Sequence, residues 1–179
     1  MTTLLTATDR ALHDTLLADG RLRYVNKATF PNKAYLFVCG DGHRAEQIEY
    51  LLRLMRGQQR DRVIVPHEFT CNGGPLLIAP SFGNVHGREF LVEQLLEAIE
   101  MKPDIDSVIL QAHAVCGAAH KRRLDLRGTM LLHQEAKAEM AEILRTNGVT
   151  AISRIVTTFH FDYGNNHMKT FEFDVDNFG

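Results

Sequence analysis

Residues 34–39 read Ala-Tyr-Leu-Phe-Val-Cys, and Gly40-Asp41-Gly42 breaks the run. A continuous apolar stretch of this length, entered from Pro31-Asn32, fits a strand buried on both faces. Residues 107–113, Ser-Val-Ile-Leu-Gln-Ala-His, form a second run of the same kind, and Cys116-Gly117 follows at once. Strands buried on both faces belong to parallel sheets covered by helices. These two runs therefore set the fold class.

The segments around them agree. His43 to Arg56 carries a helical stripe of Ala45, Ile48, Leu51, Leu52 and Met55, and Gly57 ends it. Arg62 to Pro66 reads as a short strand, Cys71 to Gly74 as a Gly-rich loop, and Leu76 to Ala79 as a short strand or a turn. Glu89 to Glu100 is helical, with Leu91, Leu95, Leu96 and Ile99 on one face. Met130 to Thr146 is helical by composition, and Asn147-Gly148 closes it. Ala151 to Phe161 is rich in β-branched residues, Gly164-Asn165-Asn166 signals a turn, and Met168 to Val175 alternates, so this end reads as a hairpin. The expectation is an α/β fold: a mainly parallel central sheet flanked by helices, with an antiparallel C-terminal hairpin.

The N-terminal stretch, Thr3 to Leu17, reads as an amphipathic helix through Leu5, Leu12 and Leu16, with Gly20 as its stop. Such an arm, spanning about residues 1–20, packs either on a neighbouring subunit or on its own domain. No repeat or linker divides the chain, so residues 1–179 are expected to form one domain.

Composition narrows the partners. The chain has 179 residues, 45% of them hydrophobic and 23% charged, with a formal net charge of −2. That balance suits a globular domain and offers no strong field for nucleic acid. No apolar stretch approaches the roughly 18–20 residues of a spanning helix, so no membrane role is expected. The three cysteines, Cys39, Cys71 and Cys116, are too few for a disulfide framework. Met1 to Asp19 lack the pattern of an export signal, and the expectation is a cytoplasmic protein with reduced thiols.

Ligands of an open parallel sheet collect beyond the carboxyl ends of its strands. If the two apolar runs pair, Cys39, His113 and Cys116 meet at one strand end, with Asp41 nearby. A lone cysteine there is usually a small core residue. Two thiolates and an imidazole together suit zinc, held tetrahedrally with a fourth position for water or a carboxylate. One zinc per chain is expected.

Cys39-x-Asp41 after one strand and His113-x-x-Cys116-Gly117-Ala118 after a later one resemble the metal motifs of the β-class carbonic anhydrases. Thr70-Cys71-Asn72-Gly73-Gly74 resembles that family's Arg-Asn-Ala-Gly-Asn loop more loosely, and Phe161-Asp162-Tyr163-Gly164 its late Tyr-Asp hairpin more weakly still. The likeness runs from about Tyr35 to Phe173 and is sharp only at the metal motifs. It implies zinc on Cys39, His113 and Cys116, a homodimer or larger even assembly with active sites at the dimer interface, and reversible hydration of CO2 to bicarbonate. Zinc-bound hydroxide would attack CO2, with Asp41 aiming its lone pair.

The chain departs from the family at one place. His43 stands where the family has an Arg that pairs with the Asp and holds it off the metal. Arg44 is adjacent, but a helical start would turn it about 100° away. Asp41 is then either a fourth zinc ligand that closes the site or is held by His43 or Arg44 through a shifted loop. Two other functions stay open: hydrolysis of carbonyl sulfide or carbon disulfide on the same fold, and a non-catalytic zinc domain closed by Asp41. His120 reads as a proton relay or as a solvated side chain beside Lys121, Arg122 and Arg123, and the basic run itself as a solvated helix face. Cys71 reads as structural. No phosphate loop or dinucleotide fingerprint is present.

Overall fold

The computed structural model describes residues 5–40, 44–58, 61–164 and 167–178, with the backbone alone at 44 and 45. Its helices are α1 (Ala7–Ala18), α2 (Arg44–Arg56), α3 (Val85–Met101), α4 (Gly117–Lys121) and α5 (Leu126–Thr146). Its strands are β1 (Leu22–Tyr24), β2 (Lys33–Cys39), β3 (Val65–Cys71), β4 (Ser107–Ala114), β5 (Arg154–Asp162) and β6 (Met168–Phe173).

The six strands form one sheet in the order β1-β6-β5-β4-β2-β3. Strands β3, β2, β4 and β5 are parallel, while β6 pairs antiparallel with β5 and β1 pairs antiparallel with β6. This is the α/β sheet expected from the sequence, with its antiparallel end. The two decisive runs are its central strands. All eight residues of β4 are buried, as are all of β2 except Lys33.

The sheet separates two apolar cores. Leu36, Val38, Ile109 and Val156 pack against Leu51, Leu54 and Met55 of α2. Tyr35, Phe37, Leu110 and Phe159 belong to the larger core, which includes Leu16 of α1, Leu91 and Leu95 of α3, and Met130 and Met140 of α5. Alternation along each strand divides its side chains between these cores.

Several boundaries differ from the sequence reading. The first helix begins at Ala7, not Thr3, because Thr6 and Asp9 form a capping box. The arm packs on its own chain: Leu5 and Leu16 are buried, Asp9 Oδ1 accepts from the Leu126 amide at 3.3 Å, and His13 Nε2 lies 2.7 Å from the Tyr163 hydroxyl. The strand expected at Arg62 to Pro66 lies later, over Val65–Cys71, in parallel register from Lys33↔Val65 to Cys39↔Cys71. Pro66 fits there because β3 is the edge strand and needs one face of its ladder only. The Leu76–Ala79 segment is neither strand nor simple turn: Gly74–Ile78 form a 3-10 turn. Helices α3 and α5 start four residues before the expected points, capped by Asn84 and Asp125. The three-residue β1 has no periodicity to reveal it.

Candidate metal centre

The chain leaves β2 for its edge neighbour β3 and then crosses to the other side of β2 to form β4. Strand order therefore reverses between β2 and β4, and their carboxyl ends flank a crevice of the kind that holds ligands in open α/β sheets. Cys39 is the last residue of β2. His113 is the penultimate residue of β4, and Cys116 is the N-cap of α4 just beyond it.

The ligand atoms of Cys39, His113 and Cys116 all lie within 4.8 Å of one another, and all three residues are buried. The Cys39 and Cys116 sulfurs are 3.9 Å apart. Two sulfurs each ~2.3 Å from a tetrahedral zinc stand about 3.8 Å apart, so the spacing fits that ion. Two soft thiols and one imidazole also match zinc in kind. The group can hold a metal ion.

The surrounding backbone supports Cys39. The Gly73 amide donates to Cys39 Sγ at 3.2 Å, a contact of the kind that orients metal ligands. Gly73 and Gly74 both have positive φ, at 97° and 53°. A Cβ on Gly74 would lie 2.6 Å from the Cys39 nitrogen. Only glycine lets this loop lie so close to the end of β2. As a thiol, Cys39 is held well above its ordinary pKa by the hydrogen bond it shares with Cys116, and next by burial. Binding a cation and losing the proton are then one coupled event.

Cys71 is the register partner of Cys39 yet lies outside the ligand group. Its sulfur is 3.8 Å from the Gly74 carbonyl, and burial, followed by the nearby Cys39, pushes its pKa up to about 11.

Two cavities open on the ligand group from opposite sides of α4. The first, of about 380 Å³, touches His113 and Cys116 and is walled by Leu5, Val115, Ala119, Leu124 and Leu126, with Asp9, Asp125 and three threonines among its other lining residues. Exposed His120 stands at this cavity as well. The second, of about 340 Å³, touches Cys39 and is walled by Asn72, Phe82, Asn84, Lys121 and Arg122, among others. The sequence did not reveal either wall, because the residues come from separate loops and helix ends. Gly73 was visible only as part of a Gly-rich loop.

Asp41 and His43 lie outside the described residues. Arg44 is the first residue of α2, and its side chain is not described. His160 is the register partner of His113 on β5, but its Nδ1 pairs with the Thr170 hydroxyl at 2.8 Å. No helix among the described residues is long and apolar enough to cross a membrane. Compared with known proteins, the chain matches no family model, no curated protein and no solved structure.

Proposed function

We propose that this chain is a zinc-dependent hydratase that converts CO2 reversibly to bicarbonate, with one zinc per chain. The observation that carries the reading is the buried Cys39–His113–Cys116 group at the β2/β4 switch point, with its sulfurs 3.9 Å apart. Zinc bound there would acidify a water so that hydroxide is available near neutral pH.

The protein residues then have separate tasks. Cys39 and Cys116 would supply thiolates and His113 a neutral imidazole, which leaves a tetrahedral ion one position to spare. Leu5, Val115, Ala119, Leu124 and Leu126 line the cavity beside His113 and Cys116 and suit an uncharged, weakly hydrated molecule such as CO2. Asp41, two residues after Cys39, is assigned the acceptor that orients the nucleophile. His43 or Arg44 is assigned the restraint on Asp41. His120, exposed at the same cavity, would pass a proton to solvent.

The test is stopped-flow CO2 hydration by the zinc-loaded protein from mildly acidic to alkaline pH. The reading expects catalysis that disappears with the zinc and with Cys39→Ser. A fully zinc-loaded protein with no rate above buffer at any pH would leave a non-catalytic zinc domain in its place.

A further inference from the structure

The cavities on the two sides of α4 differ in kind. The wall beside His113 and Cys116 is mostly apolar. The wall beside Cys39 carries two cations, Lys121 and Arg122, and two side-chain amides, Asn72 and Asn84, and among the described residues none that lines it is acidic. Among the described residues neither Lys121 nor Arg122 has a carboxylate within ion-pair distance, although eight other Lys and Arg side chains and two histidines do.

We propose that the cavity beside Cys39 is a binding site for a small oxyanion, with Lys121 and Arg122 as its charged wall. Arg122 is held ready for this. Its guanidinium carbon lies 3.7 Å from the Phe82 ring centroid, Nε donates to the Phe82 carbonyl at 3.0 Å, and Nη1 lies 3.4 Å from the Ala118 carbonyl. These contacts fix the planar group without neutralising it, and Nη2 keeps its donors. Asn84 Oδ1 is occupied in capping α3 through the Gly87 amide at 3.1 Å, so Nδ2 is what this side chain can offer a ligand. A fixed guanidinium, a mobile ammonium and amide donors recognise charge and oxygen lone pairs, as in bicarbonate, sulfate or phosphate.

The position gives the site its meaning. It lies at the same switch-point crevice as the ligand group, yet on the opposite flank of α4 from the apolar cavity. The site stands on its own lining and does not need the hydratase reading. Within that reading it separates the two ends of the reaction: the neutral molecule meets the apolar wall and the anion meets the cationic wall.

The experiment is an amide NMR titration of the zinc-loaded and the metal-free protein with sodium bicarbonate, sodium sulfate and, at matched ionic strength, sodium chloride. Saturable shifts centred on Asn72, Asn84, Gly117 and Ala118 are expected from the oxyanions and not from chloride. Loss of charge-assisted contacts in the Lys121→Gln/Arg122→Gln double variant should weaken binding about tenfold or more. Lys121→Gln alone, at an exposed side chain, should weaken it severalfold and keeps the test valid if the double variant misfolds. Bicarbonate binding that competes with sulfate identifies a shared site, while binding of sulfate alone identifies a site for tetrahedral anions. No saturation, equal shifts from chloride, or binding undiminished in both variants overturns the proposal. Oxyanion binding by a zinc-loaded protein that does not hydrate CO2 keeps this site and removes the hydratase reading. Hydration without oxyanion binding does the reverse.

Discussion

Cys39 and Cys116 are 77 positions apart in the chain and 3.9 Å apart at their sulfur atoms. Two parallel strands make that possible. The β2–β4 register brings Val38 beside Gln111, which leaves Cys39 and His113 at neighbouring strand ends. The N-cap position of Cys116 then turns its thiol back over the same crevice. The grouping of these ligand atoms is thus a consequence of sheet topology, and its parts can be tested separately.

The cysteines should divide two to one. Cys39→Ser or Cys116→Ser removes a thiolate ligand and should weaken zinc binding by more than the roughly 10–100-fold typical of an outer-shell change. Cys71→Ser should leave zinc binding within a few fold. Competition with a chromogenic chelator measures all three. A large loss in Cys71→Ser would mean that the ligand set is misassigned.

Gly74 holds the loop that donates to Cys39. Gly74→Ala places a Cβ 2.6 Å from the Cys39 nitrogen at a φ of 53°, so backbone must shift at the metal ligand itself. We expect a stability loss above ~1 kcal/mol together with weaker zinc binding. A stable variant with unchanged zinc affinity would show that the loop's close approach does not support the site.

His133 should make folding stability depend on pH. It is fully buried, with Nε2 donating to the Leu110 carbonyl at 3.1 Å and its ring stacked on Phe173. Burial pushes its pKa down to about 4, from an ordinary value of 6.5. Above pH 6.5 it is neutral in both folded and unfolded chains and adds no pH dependence. As pH falls from 6.5 toward 4 the unfolded chain takes up a proton that the folded chain refuses, so stability falls, by an order of 3 kcal/mol at most. His133→Gln keeps a donor and removes the titration. Urea unfolding of both proteins from pH 7 to pH 4 should show a smaller decline in the variant. Parallel declines would assign the acid sensitivity to other groups.

Much of this arrangement was legible in the sequence, for physical reasons. A strand buried on both faces has few polar positions, so residues 34–39 are visible as an unbroken apolar run and 107–113 as a mostly apolar one that holds Ser107, Gln111 and His113. Cys39, His113 and Cys116 stand out because they sit at the ends of those runs. Edge strand β3 was misplaced because it is only half-buried: Val63 in the expected strand is exposed, while Phe69 in the observed one is buried. In α2 the expected Leu51 and Met55 are buried, joined by Gln47 and Leu54, while the expected Ile48 and Leu52 are half-buried. Gln47 is buried although, among the described residues, its amide finds no hydrogen-bond partner, an arrangement that periodicity of apolar residues misses. The cationic cavity was illegible for a different reason. Lys121-Arg122 looks like any solvated basic run until Phe82, 40 positions away, is placed beneath the guanidinium.

On the proposed reading, Asp41 and His43 would govern whether the zinc keeps a position for substrate. A neutral imidazole restrains a carboxylate less firmly than a guanidinium fork does. His43→Arg should therefore raise CO2 hydration near neutral pH, and Asp41→Asn should leave zinc bound while changing the rate. The measurement is the pH–rate profile of each variant beside the wild type. A robust wild-type rate that His43→Arg leaves unchanged would assign the restraint to Arg44 or another group.

The central claim is that Cys39, His113 and Cys116 together hold one zinc, and X-ray absorption at the zinc edge of the stoichiometrically loaded protein tests it most directly. The account predicts one zinc per chain, with two sulfurs at ~2.3 Å and one imidazole nitrogen at ~2.0–2.1 Å, and loss of one sulfur from the spectrum in Cys116→Ser. A protein that takes up no zinc, or a spectrum of oxygen and nitrogen neighbours without sulfur, would contradict it.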